Sequence, residues 1–220
     1  MSADPPDNVI PFPSRRADQS AEPSAEDAPP SGSSSTMTIV LGELRGWPAV
    51  SEQIGREDAE RGLSTSVEAL LGALGKSSAE DLTLEGDATQ PGFSCGFEGN
   101  DGALRALRAA QGGRRAVEAA QEALPAEKRF RVSIGVSTGE VRSSTTAGDD
   151  PVSFRSVGAI KMFAARLRDF AGAGQIFLSA DTFEEAKDAA VVTPLGDVRV
   201  NAYGDTRIAY SLTELQEPPG

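Results

Sequence analysis

Histidine is absent from this 220-residue chain, cysteine and tryptophan occur once each, and aromatic residues make up only 5% of the total. Without histidine there is no Ser-His-Asp or Cys-His triad, no imidazole-ligated zinc and no ordinary general base for pH 7. One cysteine cannot close a disulfide within the chain, which excludes a disulfide-stapled secreted scaffold. Basic residues are outnumbered, with 21 Lys and Arg against 33 Asp and Glu for a net charge of −12. The basic face that nucleic acid or an anionic membrane requires is therefore missing. No apolar run approaches the ~18 residues of a membrane span. The N-terminus carries no apolar signal-peptide core, so the cytoplasm is the expected location. Any chemistry rests on carboxylates, guanidinium and ammonium groups, hydroxyls, or a hard cation such as magnesium held by oxygens.

What is present is unevenly distributed. Residues 1–36 hold seven of the fourteen prolines and eight serines, with few large apolar side chains. Such a segment buries too little surface to offset its ordering entropy and reads as a disordered acidic tail. Within it, residues 8–16 pair Val9-Ile10-Pro11-Phe12-Pro13 with Arg15-Arg16, a proline-stiffened candidate docking peptide for an unknown protein. Tail composition that happens to include Ile and Phe is the plainer alternative. Residues 37–213 read as one domain, ample for a core, and 214–220 as a second disordered end.

Periodicity places the elements. Thr38–Leu41 is a β-branched apolar run and predicts a buried strand. Val50, Ile54, Leu63, Val67, Leu70, Leu71 and Leu74 predict one long helix ending at Gly75. Short strands are expected at Leu82–Glu85 and Gly92–Phe97 around Gly86-Asp87, with Cys95 as a buried core thiol between Phe93 and Phe97. A helix follows over Asp101–Leu124. Strict alternation from Phe130 to Val136 predicts a strand, and Thr138-Gly139-Glu140 a turn. A helix from about Ile160 to Phe170, a strand at Gln175–Leu178, a short helix at Asp181–Ala189, and strands at Val191–Val200 and Arg207–Leu212 complete the order. That order predicts an α+β, ferredoxin-like domain, an antiparallel-rich sheet with helices on one face.

Five segments, in order, carry a family resemblance. They are Val40-Leu41-Gly42-Glu43-Leu44-Arg45-Gly46-Trp47-Pro48; Gly86-Asp87-Ala88; Val132-Ser133-Ile134-Gly135-Val136-Ser137-Thr138-Gly139-Glu140-Val141; Val157-Gly158 through Ala164-Ala165-Arg166-Leu167; and Gly174-Gln175-Ile176-Phe177-Leu178-Ser179. Together they resemble the catalytic domain of class III adenylate and guanylate cyclases over about residues 38–212. The resemblance implies conversion of a purine nucleoside triphosphate to a cyclic monophosphate and pyrophosphate, with two Mg²⁺ or Mn²⁺ ions, at a site shared between two chains of a dimer.

Residue by residue, the implied site is only partly present. Glu43 stands at the first metal position in place of Asp, one methylene longer, and Asp87 matches the second. Arg166 matches the arginine that stabilises the transition state. The purine-reading positions hold Thr83 and Arg155, the ribose-orienting Asn is Met162, and the late phosphate-binding Lys is Asn201. Pro48 has no backbone N–H for a phosphate. The resemblance thus implies either a degenerate, inactive or weak homodimeric or heterodimeric module that senses nucleotide or regulates, or an active cyclase with an altered site. Apart from the resemblance, Gly86-Asp87 is an ordinary turn former. Arg155, Lys161, Arg166 and Arg168 make a positive patch that suits a solvated or dimer-facing edge.

Overall fold

The computed structural model describes residues 34–142, 151–200 and 204–216; the side chains at 142 and 151–155 lie outside the description. The candidate docking peptide at 8–16 and Asn201 also fall outside it. The described residues belong to the compact unit Ser31–Gly220. Among them are β1 (Ser34–Arg45), α1 (Trp47–Ile54), α2 (Arg56–Leu74), β2 (Glu80–Gly86), β3 (Pro91–Glu98), α3 (Gly102–Ala120), β4 (Arg131–Arg142), α4 (Pro151–Phe170), β5 (Ile176–Ser179), α5 (Ala180–Ala186), β6 (Ala190–Arg199) and β7 (Thr206–Leu215). The strands form one sheet in the order β2-β3-β1-β4-β5-β7-β6. Only the β4–β5 pair is parallel; the others are antiparallel. The α+β, antiparallel-rich class expected from the sequence is the one observed.

The helices occupy both faces, not one. Because side chains alternate along a strand, Val40 and Leu44 of β1 join Val132, Ile134 and Val136 of β4 and Phe93, Cys95 and Phe97 of β3 on the face covered by α2 and α3. Ile39 and Leu41 point the other way, against Ile160 and Ala164 of α4. Phe163, Leu167 and Ala171 extend that second layer to Phe177 and Ala209. Ile160, Phe163, Ala164, Leu167 and Ala171 recur at helical spacing, and this stripe fixes which side of α4 meets the sheet.

Three further expectations are corrected. The single helix predicted from Val50 to Leu74 breaks into α1 and α2 at Gly55, whose φ of 83° lies in the left-handed region. Thr138-Gly139-Glu140 is not a turn: β4 continues to Arg142, with Thr138 opposite Thr38 and Arg142 opposite Ser34. Gly139 is there for clearance, since a Cβ would meet Ile160 at 2.9 Å. Finally, α4 begins at Pro151, well before Ile160, and its first-position proline suits a helix start.

Where β1, β4 and α5 meet, the core is polar but satisfied. The Thr38 and Thr138 hydroxyls lie 2.9 Å apart, and Thr138 and Thr182 another 2.9 Å. Ser179 Oγ accepts from the backbone N–H groups of Thr138 at 3.3 Å and Thr182 at 3.2 Å. Cys95 is 2% exposed, and burial pushes its thiol up to about 12, so it is an inert core thiol, as expected. No helix among the described residues is long and apolar enough to cross a membrane.

Candidate functional site

Glu43 continues the α4-facing stripe of β1 that holds Ile39 and Leu41, and Arg45 ends it. The strand neighbours of Glu43 are Gly92 of β3 and Ser133 of β4, both small, so the carboxylate has room at the sheet surface while only 15% of its side chain is exposed. Asp87 opens the loop between β2 and β3. Its Oδ1 accepts from the Thr89 N–H at 2.7 Å, the Thr89 hydroxyl at 2.7 Å and the Gln90 N–H at 2.9 Å. The Thr89 hydroxyl foremost, then the two backbone N–H groups, hold this exposed carboxyl below its ordinary value.

Gln90 joins the two acids. Its backbone N–H serves Asp87, and its side-chain amide donates to Glu43 Oε1 at 2.6 Å. The same Oε1 accepts from Arg45 Nε at 3.1 Å, and Glu43 Oε2 lies 3.9 Å from Arg168 Nε. Arg45 is pinned in turn: Nη1 donates to the Ala171 carbonyl and Nη2 to the Arg168 carbonyl, each at 3.1 Å. These carbonyls belong to the C-terminal end of α4, where acceptors lack intrahelical partners and a cation is electrostatically favoured. Arg168 also donates from Nε and Nη2 to Asp169 at 3.2 and 2.9 Å.

The other candidates sit elsewhere. Arg166, two residues before Arg168 and so on another side of α4, donates from Nε to the Val200 carbonyl at 3.2 Å. Thr83 is exposed on edge strand β2 and donates to the Asp81 carbonyl at 3.1 Å. Met162 is half exposed on the outer side of α4. Its neighbour Lys161 reaches back to β2, with Nζ 2.6 Å from Glu85 Oε1. Arg155 lies on α4, its side chain outside the description. The positive patch read from the sequence is thus not a free one: Lys161, Arg166 and Arg168 each meet a different acceptor. Beside the Asp87 loop, Trp47, Ser51, Glu52, Arg56 and Thr89 line a cleft of about 360 Å³.

No protein-family model matches the sequence, and no curated protein matches it. Solved structures do. The guanylyl cyclase Cya2 aligns with a TM-score of 0.65 at 23% identity, over 85% of this chain and 96% of the other. The adenylyl cyclase CyaB from P. aeruginosa aligns at 0.63 and 14%, over 86% and 98%. The chain has the class III nucleotide cyclase catalytic-domain fold. The guanylate cyclase domain of RhGC from Catenaria anguillulae, in complex with GTP, shares it at a TM-score of 0.57 and 15% identity, over 84% and 100%.

Within this cyclase fold the two acids do not fit a pair of divalent ions as they stand. Magnesium needs a nearly octahedral shell of oxygens, whereas Glu43 Oε1 already accepts two hydrogen bonds, Oε2 faces a guanidinium, and Asp87 Oδ1 accepts three. Among the described residues no three His, Cys, Asp or Glu side chains gather as a metal-binding group. The structure brings Glu43 and Asp87 together through Gln90 and sets Arg166, Thr83 and Met162 apart from them. Sequence reasoning missed Arg45 and Gln90 altogether. A local signal existed for Arg45, since residues two apart on a strand share a face; for Gln90 it lay in the loop chemistry after Asp87.

Proposed function

We propose that this cyclase-fold chain is a degenerate cyclase-homology module, dimerising or nucleotide-sensing, with little or no turnover. In this reading the module is wider than the 37–213 expected, since β1 begins at Ser34 and β7 ends at Leu215, and the residues before it are its tether. The observation that carries it is the outer side of α4. At Met162, where the family resemblance implies a ribose-orienting Asn, a thioether stands 47% exposed, and two turns on Phe170 is 56% exposed. A thioether donates no hydrogen bond and accepts poorly, while apolar groups exposed on one helix side suit a protein interface. Thr83, Asn201 and Pro48 remove further groups that the resemblance assigns to purine and phosphate. Losing one transition-state donor costs about 3–4 kcal/mol, or ~10²–10³ in rate, so several together leave little. Purine nucleotide as the ligand class is supported by the GTP complex of the RhGC domain. Mg²⁺ or Mn²⁺ would bind weakly.

The full chain, incubated with ATP or GTP and either ion, is expected to form no cyclic nucleotide above a boiled control, while calorimetry reads nucleotide binding separately. Turnover near about one per second that disappears in Asp87→Ala would restore the reading as an active cyclase. Sedimentation of the full chain at tens of micromolar is expected to show a dimer that Met162→Asp shifts to monomer. A monomeric unaltered chain would replace the homodimer by a cyclase-domain partner.

A further inference from the structure

The two metal-position acids carry more than a disagreement with the fold's implied cations. We infer that this chain disfavours divalent ions at the Glu43–Asp87 pair by placing its own guanidinium groups, Arg45 and Arg168, beside Glu43.

The geometry makes the two arginines unequal. Arg45 holds Glu43 Oε1 at 3.1 Å and is itself tied to two carbonyls at the end of α4. Releasing it would leave those carbonyls without a donor, so its positive charge is a fixture beside the carboxylate. Arg168 is the looser member. It faces Glu43 Oε2 at 3.9 Å and shares itself with Asp169, a side chain 46% exposed. Glu43 and Asp169 balance Arg45 and Arg168, so among the described residues Asp87 is the one carboxylate of the cluster without a guanidinium to balance it. An incoming divalent cation must approach Oε2 against the Arg168 guanidinium charge 3.9 Å away, compete with the Gln90 amide for Oε1, and then sit next to the pinned Arg45 charge. Like charges at this range oppose binding. The site's second acid has Oδ1 taken up by its own loop, which leaves a cation only its Oδ2.

Arg168 is therefore the residue that excludes the ion at Oε2, and Arg45 the one that lowers the affinity of whatever enters. Metal uptake at Glu43 is read apart from nucleotide binding. Cyclic-nucleotide formation would bear on the preceding reading, not on this one.

The test is Mn²⁺ titration of the full chain, reading free Mn²⁺ by electron paramagnetic resonance. The unaltered chain is expected to take up no stoichiometric Mn²⁺ below about 1 mM, Arg168→Gln to bind one ion at least ~10-fold more tightly, and Arg168→Gln/Glu43→Gln to lose that gain. Stoichiometric uptake by the unaltered chain that Glu43→Gln abolishes overturns the inference, as does a folded Arg168→Gln chain with no gain. Should Arg168→Gln fail to fold, the unaltered chain decides alone. The nitrogen-15 signals of the Arg45 and Arg168 Nε–H groups are expected to stay sharp when Mn²⁺ is added, and their selective paramagnetic broadening overturns the inference.

Discussion

Gly135→Ala is expected to destabilise the protein by about 3 kcal/mol, the upper end of the usual range for overpacking, read as a large drop in the urea midpoint. Gly135 lies on β4 between Leu41 of β1 and Phe177 of β5, on the side where α4 crosses the sheet. A Cβ there would stand 2.0 Å from the Ala164 carbonyl oxygen and 2.4 Å from the Arg168 nitrogen. Both are helix backbone atoms, which cannot swing aside as a side chain would. Relief means lifting α4 by about 1 Å, and dense interiors tolerate such gaps poorly. Ile160, Phe163, Ala164 and Leu167 would all lose contact, and the move would draw Arg168 away from Glu43. Gly112→Ala provides the contrast. It is also a helix or sheet glycine by sequence, but a Cβ there meets nothing within 4 Å, so on α3 the change should stabilise by up to ~1 kcal/mol. Equal midpoints for the two variants would refute this account of how α4 is seated.

Arg45→Ala is expected to cost about 2–3 kcal/mol. One guanidinium satisfies a part-buried carboxylate and two helix-end carbonyls, and hydrogen bonds involving a charged group contribute ~1.5–3 kcal/mol each when not screened. Arg45 is 29% exposed, which reduces the total below a simple sum. Arg45→Lys should recover less than half of the loss, because an ammonium lacks the planar fork that reaches three acceptors at once. A double-mutant cycle with Glu43→Gln separates the ion pair from the helix cap. A loss under about 0.5 kcal/mol in Arg45→Ala would mean the cap is replaced by water.

The elements with strong local patterns were legible in the sequence; their limits were not. The apolar run at Thr38–Leu41 announced β1, but Ser34–Met37 have no such pattern and are held extended by residues 139–142 of β4 alongside them, with Glu98 and Gly99 on the other side of Met37 and Thr36. Gly139 looks like a turn residue to any reading of neighbours in sequence, and only the distant Ile160 explains it. Gly55 interrupts a run of helical spacing that continues on both sides, so periodicity passed over the break. At the candidate site the acids could be found from their motifs. Of their partners, Arg45 and Gln90 had local signals, but Arg168 had none, since Glu43 meets it only once α4 has been laid across the sheet in one direction. That direction depends on clearance at Gly135 and on the Ile160-to-Ala171 stripe, which are tertiary facts.

The central place of β1 also sets a timetable. Thr38 faces Thr138 across the β1–β4 ladder, so the first strand made is completed by one that lies a hundred residues downstream. At a synthesis rate of ~5–20 residues per second, that interval is ~5–20 s. Pairings so distant in sequence close slowly in any case, because chain entropy is spent before the contact forms. For those seconds the emerging chain holds a central strand with one edge unfilled, and its Ile39 and Leu41 wait longer still for α4. Whatever guards that edge during synthesis acts on a nascent chain that lacks its second half.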